Sequence, residues 1–124
     1  MEVLSIVFVG LVALEHLYIV ALEMFLWTQT RTRKIFGTTA EFAESTKTLA
    51  ANQGLYNGFL AVGLLYGIVA NIPDVAFQFK VFFLVCVIVA GIYGGVTVKP
   101  RIAMVQALPA FIALVFTLIN GVSV

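Results

Sequence analysis

Charged residues, cysteine and histidine are scarce in this chain. Asp, Glu, Lys and Arg make up only 10% of its 124 residues, and there is one cysteine, Cys86, and one histidine, His16. A single cysteine excludes an internal disulfide and a multi-cysteine metal site. A formal net charge of +1 gives no basis for nucleic-acid binding. The residues that are plentiful are apolar, 62% of the chain, and one soluble core cannot hide them, so composition predicts a membrane protein.

Four apolar runs are each about as long as the roughly 20 residues that a helix needs to cross a bilayer. They are continuously apolar, whereas the strands of a membrane barrel alternate between apolar and polar residues. The connections are short, so we predict a single domain: an all-α integral membrane protein built as an antiparallel bundle of four transmembrane helices. The predicted spans are residues 3–27, 48–70, 77–98 and 102–122.

The basic residues predict the orientation of this bundle. On the opposite side of the membrane from the first and third connections, the only basic residue is Lys80. By the positive-inside rule, those two connections lie in the cytoplasm and both chain termini lie outside, in a multi-pass membrane protein. The first and third connections carry Arg31, Arg33, Lys34, Lys47, Lys99 and Arg101.

Local signals refine the second and fourth helices. Thr38 and Glu41 have the spacing of a capping box, so the second helix is predicted to begin near residue 39, before the membrane. Glu44 and Lys47, three residues apart, are expected to pair on its exposed surface. In the fourth span Pro109 removes a backbone hydrogen bond, which predicts a kink and a free carbonyl group near Gln106.

The first span holds three ionisable residues, Glu15, His16 and Glu23. On a helical wheel all three lie toward one side, so all can face the bundle interior. His16 and Glu23 are nevertheless about 10 Å apart along the helix axis. They cannot share one ion, and we predict no metal and no cofactor.

Counting residues from the cytoplasmic ends places polar side chains of all four helices at one depth, roughly 6 to 8 Å inside the membrane. Asn57 lies somewhat deeper, and Glu15 and His16 lie near the midplane. His16 is expected to bond with Asn57 or Thr117. The layer around Glu23, from which its hydrogen-bond partners are expected to come, comprises Asn52, Gln53, Tyr93 and Gln106.

Burial energetics indicate a functional site in this layer. A charged side chain at a helix centre costs about 2.5 to 3.5 kcal/mol, and an amide hydrogen bond returns only about 0.6 to 2 kcal/mol. The acids are therefore either neutral or facing a hydrated cavity. We predict Glu23 as an acid or base, with Glu15 and His16 as further catalytic candidates. The predicted ligand-binding residues are Asn52, Gln53, Tyr56, Asn57, Tyr93 and Gln106.

Three segments carry a resemblance to a known family. They are LEHLYIVALEMFLW, FAESTKTLAANQGLYNGFLAVGLLYG and AGIYGGVTVKPRIAMVQALPA. Together they resemble a bacterial family of small four-span membrane proteins, domain-of-unknown-function family 1304, over nearly the whole chain. The resemblance implies the fold and the membrane location, and it implies no particular activity.

Three functions fit these observations. One is a cytoplasm-facing pocket that binds a small polar or amphipathic molecule, with acid/base chemistry at Glu23. Another is a proton-coupled exporter of small molecules, and the third is a structural or regulatory subunit whose amides only join its helices. The glycine pairs Gly54/Gly58 and Gly91/Gly95 offer faces for a homo-oligomer. The substrate and the reaction stay open at this point.

Overall fold

A computed structural model of the protein describes residues 2–122, and its regular structure there is entirely helical. The prediction of an all-α protein is confirmed for this part of the chain. Helix α1 spans Glu2–Met24, α2 Thr30–Phe36, α3 Ala40–Val69, α4 Pro73–Thr97 and α5 Pro100–Asn120.

Three of these helices, α1, α4 and α5, are long and apolar enough to cross a membrane. The protein is thus a membrane protein by the length and composition of its helices. Helix α3 has 30 residues, but the amides of Asn52, Gln53 and Asn57 lower its hydropathy. The fourth span and the orientation of the termini stay predictions.

The connection after α1 differs from the prediction. Helix α1 ends at Met24 and not near Trp27, because the backbone N–H groups of Phe25 and Leu26 both donate to the Ala21 carbonyl, at 3.1 Å each. The chain then forms α2, which the sequence analysis did not predict. Gly37, with φ of 71°, ends α2 by donating its N–H to the Arg33 carbonyl at 2.8 Å. Left-handed backbone of this kind favours glycine.

Helix α3 begins at Ala40, as expected from its predicted start near residue 39. Its cap is Thr39, one residue later than predicted, because the Thr39 hydroxyl accepts the N–H of Phe42 at 3.1 Å. The Thr38 hydroxyl is buried and has no hydrogen-bond partner in the described chain. The predicted ion pair is present, with Lys47 Nζ at 2.6 Å from Glu44 Oε1.

Helix α5 has a wide π-helical turn at Ala103–Ala107, immediately before Pro109. The predicted distortion near Gln106 therefore takes the form of an extra residue in one turn. This turn lies against α4 at two glycines. A Cβ atom on Gly91 would lie 2.7 Å from the Ala107 backbone nitrogen, and one on Gly95 would lie 2.6 Å from the Ala103 Cβ.

Contacts divide the chain into two compact units, and whether it is one domain stays a prediction. Of the described residues, unit 1 comprises residues 2–14 and 60–122, and unit 2 comprises Glu15–Phe59. Four helices contribute to an apolar core in unit 1. This core consists of Val9, Val12, Ala13, Leu64, Leu84, Val87, Ala110 and Ala113, all 0% exposed.

Candidate functional site

Helices α1 and α3 pack closely and antiparallel within unit 2, and two glycines set their distance. A Cβ atom on Gly54 would lie 3.1 Å from the Glu23 Cβ and 3.3 Å from the Met24 backbone nitrogen. One turn later, a Cβ atom on Gly58 would lie 3.8 Å from the Val20 side chain. Small residues at such a crossing let two helix backbones approach. The Gly54/Gly58 face, which was predicted as a possible interface with a second copy of the chain, packs against α1 of the same chain. The homo-oligomer stays a prediction.

The crossing brings Glu23 and Asn57 together. Asn57 Nδ2 donates a hydrogen bond of 2.7 Å to Glu23 Oε1, and Glu23 is only 7% exposed. Side chains on a helix lean toward its N-terminus. Since α1 and α3 run antiparallel, Glu23 and Asn57 lean toward each other along the crossing, and the pair closes although their Cα atoms lie at different depths.

This partner differs from the ones predicted. Counting depth from the helix ends gave Asn57 and Thr117 as candidate partners of His16. The candidate partners of Glu23 were Asn52, Gln53, Tyr93 and Gln106. That count treated side chains as perpendicular to the helix, and a long carboxyl side chain reaches about one turn further along the axis. In the structure Asn57 is the hydrogen-bond donor to Glu23.

Glu15 and His16 lie about two turns before Glu23 on α1. His16 is 1% exposed. Glu15 is half-buried, and its Oε1 atom is buried without a hydrogen-bond partner in residues 2–122. An unpaired buried acceptor costs about 1 to 3 kcal/mol, so Glu15 is a second polar position in this helix that folding alone does not explain.

The other predicted residues of α3 point elsewhere. Asn52, Gln53 and Tyr56 are exposed, whereas Asn57 is partly buried. The rotation of about 100° per residue explains the split, because Asn57 lies closer in azimuth to Gly54 than the other three do. The four predicted ligand-binding residues of α3 are therefore divided, with the Asn57 amide toward Glu23 and Asn52, Gln53 and Tyr56 on the surface.

A shallow, open groove of about 550 Å³ runs along this part of α3. Asn52 and Thr48 are its polar residues, and Glu23 does not line it. Met24 both lines the groove and contacts Gly54 at the helix crossing, so the groove adjoins the crossing that holds Glu23. The lining residues are Met24, Thr48, Leu49, Ala51, Asn52 and Leu55.

The remaining predicted residues, Tyr93 and Gln106, belong to unit 1. Tyr93 is 71% exposed, and its backbone carbonyl accepts a hydrogen bond from Thr97 Oγ1 at 2.7 Å. Gln106 lies in the π-helical turn and is partly buried. Their predicted role in ligand binding stays a prediction.

Polar contacts that the sequence analysis missed join other helices. Ser5 and Thr117 share a buried hydrogen bond of 2.8 Å in unit 1. In unit 2, Trp27 Nε1 donates to Thr46 Oγ1 at 3.1 Å, and the Trp27 ring contacts Phe36 with centroids 4.9 Å apart. The sequence signal for such contacts is an isolated hydroxyl residue in an apolar run. Which two residues form a pair depends on the register between helices, which one sequence does not give.

Residues 2–122 bring no three His, Cys, Asp or Glu side chains together in a way that could hold a metal ion. The polar features of unit 2 are instead a carboxyl–amide pair and an adjoining groove. Together with the apolar helices, they define a helical membrane protein with a buried carboxyl group.

The chain belongs to a family described as protein of unknown function (DUF1304), whose model matches residues 10–118. The predicted family is thus confirmed. The chain is 34% identical over 117 residues to the uncharacterized protein YpaA of Lactococcus lactis subsp. lactis (strain IL1403), and the match covers 93% of this chain and 97% of the relative. No solved structure matches the chain.

Proposed function

We propose that the protein binds a small amphipathic molecule in the membrane, in the groove beside α3, and that the polar head of this molecule reaches past Met24, which separates the groove from Glu23, and exchanges a proton with the Glu23 carboxyl group. One observation carries the proposal most: a carboxyl group that is 7% exposed and receives the Asn57 amide at 2.7 Å. The amide orients one carboxyl oxygen and leaves the other for a proton or a ligand group.

The energetics favour this function over a purely structural role of the Glu23–Asn57 hydrogen bond in joining α1 and α3. An interhelical hydrogen bond in a membrane protein contributes about 0.6 kcal/mol on average, which is less than the about 2.5 to 3.5 kcal/mol cost of an acidic side chain there. Two apolar residues would join α1 and α3 at lower cost. The Glu23–Asn57 pair is best explained by a use of the carboxyl group.

The groove supports the choice of an amphipathic ligand. A shallow, open groove leaves part of a bound molecule in contact with lipid, which suits a ligand with an apolar tail. Leu49, Leu55 and Met24 offer apolar contact, and the Thr48 hydroxyl and Asn52 amide offer hydrogen bonds. A molecule with an apolar tail and a small polar head matches this lining.

The proposal includes the orientation predicted from the basic residues: four spans, both termini outside, and a groove that opens toward the cytoplasm in the bacterial inner membrane. The Glu23–Asn57 bond supports α3 as the fourth span. An amide that is paired inside the protein does not meet lipid, so the hydropathy of α3 understates its ability to cross a membrane.

Thermal unfolding in detergent, with 1-monodecanoylglycerol as the probe, tests this function. We expect the probe to raise the melting temperature of the wild-type protein. Ala51→Trp, which fills the groove, should remove this shift, and Val62→Trp should keep it, because Val62 is 63% exposed and outside the groove. Glu23→Gln should stay folded and lose the shift.

Two results would reject the binding site. One is an equal shift in the Ala51→Trp and Val62→Trp proteins, which would mean non-specific insertion of the probe. The other is unfolding of Glu23→Gln together with an unchanged shift in Ala51→Trp, which would make the carboxyl–amide pair a structural link and support the interpretation as a structural or regulatory subunit.

Proton-coupled export is a second candidate, and the buried, unpartnered Oε1 atom of Glu15 favours it. Two carboxyl groups two turns apart on α1 provide successive positions for a proton. Substrate-dependent proton flux in vesicles tests this candidate, and both Glu15→Gln and Glu23→Gln should abolish the flux. Normal flux in both variants would exclude export.

A further inference from the structure

The short helix α2 has two distinct faces. Thr32 is 2% exposed, and Phe36, one turn later, contacts the Trp27 ring. These residues turn inward within unit 2. Arg31, Lys34 and Ile35 are all exposed and, at spacings of three and four residues, share the opposite face. This outward face of α2 thus carries two cations beside one apolar side chain.

Among residues 2–122, the cations of α2 have no acidic partner. The ion pair nearest to α2 along the chain joins Lys47 to Glu44 on α3. Arg33, between the two outward cations, is held by hydrogen bonds from its guanidinium to the Thr28 carbonyl at 3.2 Å and the Thr30 hydroxyl at 3.1 Å. Three positive charges are therefore gathered on seven residues with no carboxylate to neutralise them.

The position of α2 along the chain puts these charges at the membrane surface. Helix α1 has 23 residues, or about 35 Å of length, enough to cross the hydrocarbon core of about 30 Å. The chain leaves α1 at Met24, and Phe25 is 75% exposed. The following residues then lie at the level of the lipid headgroups, where tryptophan and cationic side chains are favoured.

We propose that the outward face of α2, formed by Arg31, Lys34 and Ile35, binds the phosphate groups of anionic phospholipids. The cations meet the headgroups, and Ile35 and Phe25 contact the upper acyl chains. The choice of this partner rests on charge complementarity. Unpaired cations next to exposed apolar side chains match a bilayer surface, in which anionic headgroups lie over apolar acyl chains. This interaction is independent of the groove and of Glu23.

Trp27 is the one tryptophan of the chain, and its contact with Phe36 makes it a reporter for α2. The protein is reconstituted into vesicles of phosphatidylglycerol and phosphatidylcholine in which only one of the two lipids carries bromine, a fluorescence quencher, near the headgroup end of its acyl chains. We expect brominated phosphatidylglycerol to quench Trp27 more strongly than its share of the bilayer predicts. Rising NaCl should weaken this preference, because salt screens surface charges.

The double variant Arg31→Gln/Lys34→Gln should reduce the preference by about fivefold for each cation removed. Lys99→Gln/Arg101→Gln is the matched control, which removes the same charge from unit 1 and should leave the Trp27 preference unchanged. Arg31→Lys/Lys34→Arg keeps both charges and should keep the preference, which separates loss of charge from loss of folding.

Three outcomes would overturn the proposal. The first is equal quenching by the two brominated lipids in the wild-type protein. The second is an equal loss of preference in the control variant, which would reflect total charge and not α2. The third is removal of the preference by inorganic phosphate at constant ionic strength, which would indicate a site for a free anion.

Discussion

Unit 1 and unit 2 use the same helices α1 and α3 for different purposes. In unit 1 these helices contribute Val9, Val12 and Leu64 to a core of fully buried apolar residues. In unit 2 they bury Glu23 against Asn57 instead. The difference teaches that one pair of helices can change its contact along its length, since α1 and α3 contribute to an apolar core in unit 1 and bury a carboxyl–amide pair in unit 2.

The largest effect is expected from Leu84→Ala in the core of unit 1. Leu84 is 0% exposed, and truncation leaves a cavity that lipid does not enter. We expect a loss at the lower end of about 2 to 5 kcal/mol, because lipid tails are as apolar as leucine and only the packing is lost. Denaturant unfolding in detergent measures it. Val89→Ala, at a position 61% exposed, should change stability by less than about 0.5 kcal/mol, and equal losses would contradict a packed core in unit 1.

A pair of glycines compares the helix contacts of the two units directly. In unit 1, Gly91→Ala places a methyl group 2.7 Å from the Ala107 backbone nitrogen, which forces α4 and α5 apart and should cost about 1 to 3 kcal/mol. In unit 2, Gly58→Ala meets only Val20 at 3.8 Å and should be neutral or stabilising by up to about 1 kcal/mol. The same unfolding assay decides, and the reverse order would show that α1 and α3 are closer at Gly58 than α4 and α5 are at Gly91.

Removing the donor of the carboxyl–amide pair should have a smaller effect. Asn57→Leu leaves Glu23 buried without its donor, for an expected loss of about 1 to 2 kcal/mol. When Asn57→Leu is made in a Glu23→Leu protein, the loss of unfolding free energy should be smaller. The difference is the coupling energy of the pair, about 0.6 to 1.7 kcal/mol. A double-mutant cycle on unfolding free energies measures this coupling. Additive losses would mean that the two side chains do not act as a pair.

The smallest effect is expected on the exposed surface of α3. Glu44→Gln removes the ion pair with Lys47, both of whose side chains are more than half exposed, and should cost about 0.2 to 0.5 kcal/mol. Glu41→Gln removes the same charge from a residue that makes no ion pair in the described chain. A difference between the two variants that persists in high salt would contradict a solvent-screened pair.

Much of the fold was predictable because hydrophobicity along a chain is a local property. Continuous apolar runs gave the helical class and the membrane location, and the basic α1–α3 connection stood out in the sequence. Helix ends were predicted less well. Helix α1 ends at Met24 and not near Trp27, and α2 is a separate helix, because backbone hydrogen bonds and the Trp27–Phe36 contact decide where each helix stops.

The residues of the candidate site were predicted from the sequence, but the hydrogen bond between Glu23 and Asn57 was not. Glu23 stood out as an acid in an apolar run, and Asn57 as one of several amides on α3. Their partnership depends on the axial register of two antiparallel helices and on the lean of each side chain toward its own N-terminus. Neither quantity can be determined from one helix alone, so counting depth gave Asn57 as a candidate partner of His16, beside Thr117, and not of Glu23.

The sequence by itself determined that this protein is helical, belongs in a membrane and contains acidic side chains where lipid would exclude them, because transfer energies depend on residue type. Only the tertiary structure decided that Asn57 is the donor to Glu23, that Asn52, Gln53 and Tyr56 face outward, and that α2 turns two cations away from Trp27. The Glu23–Asn57 pairing and the outward position of the other three side chains follow from the close approach of α1 and α3 at Gly54, which fixes the rotation and register that single helices leave open. The orientation of α2 follows from the contact between Trp27 and Phe36.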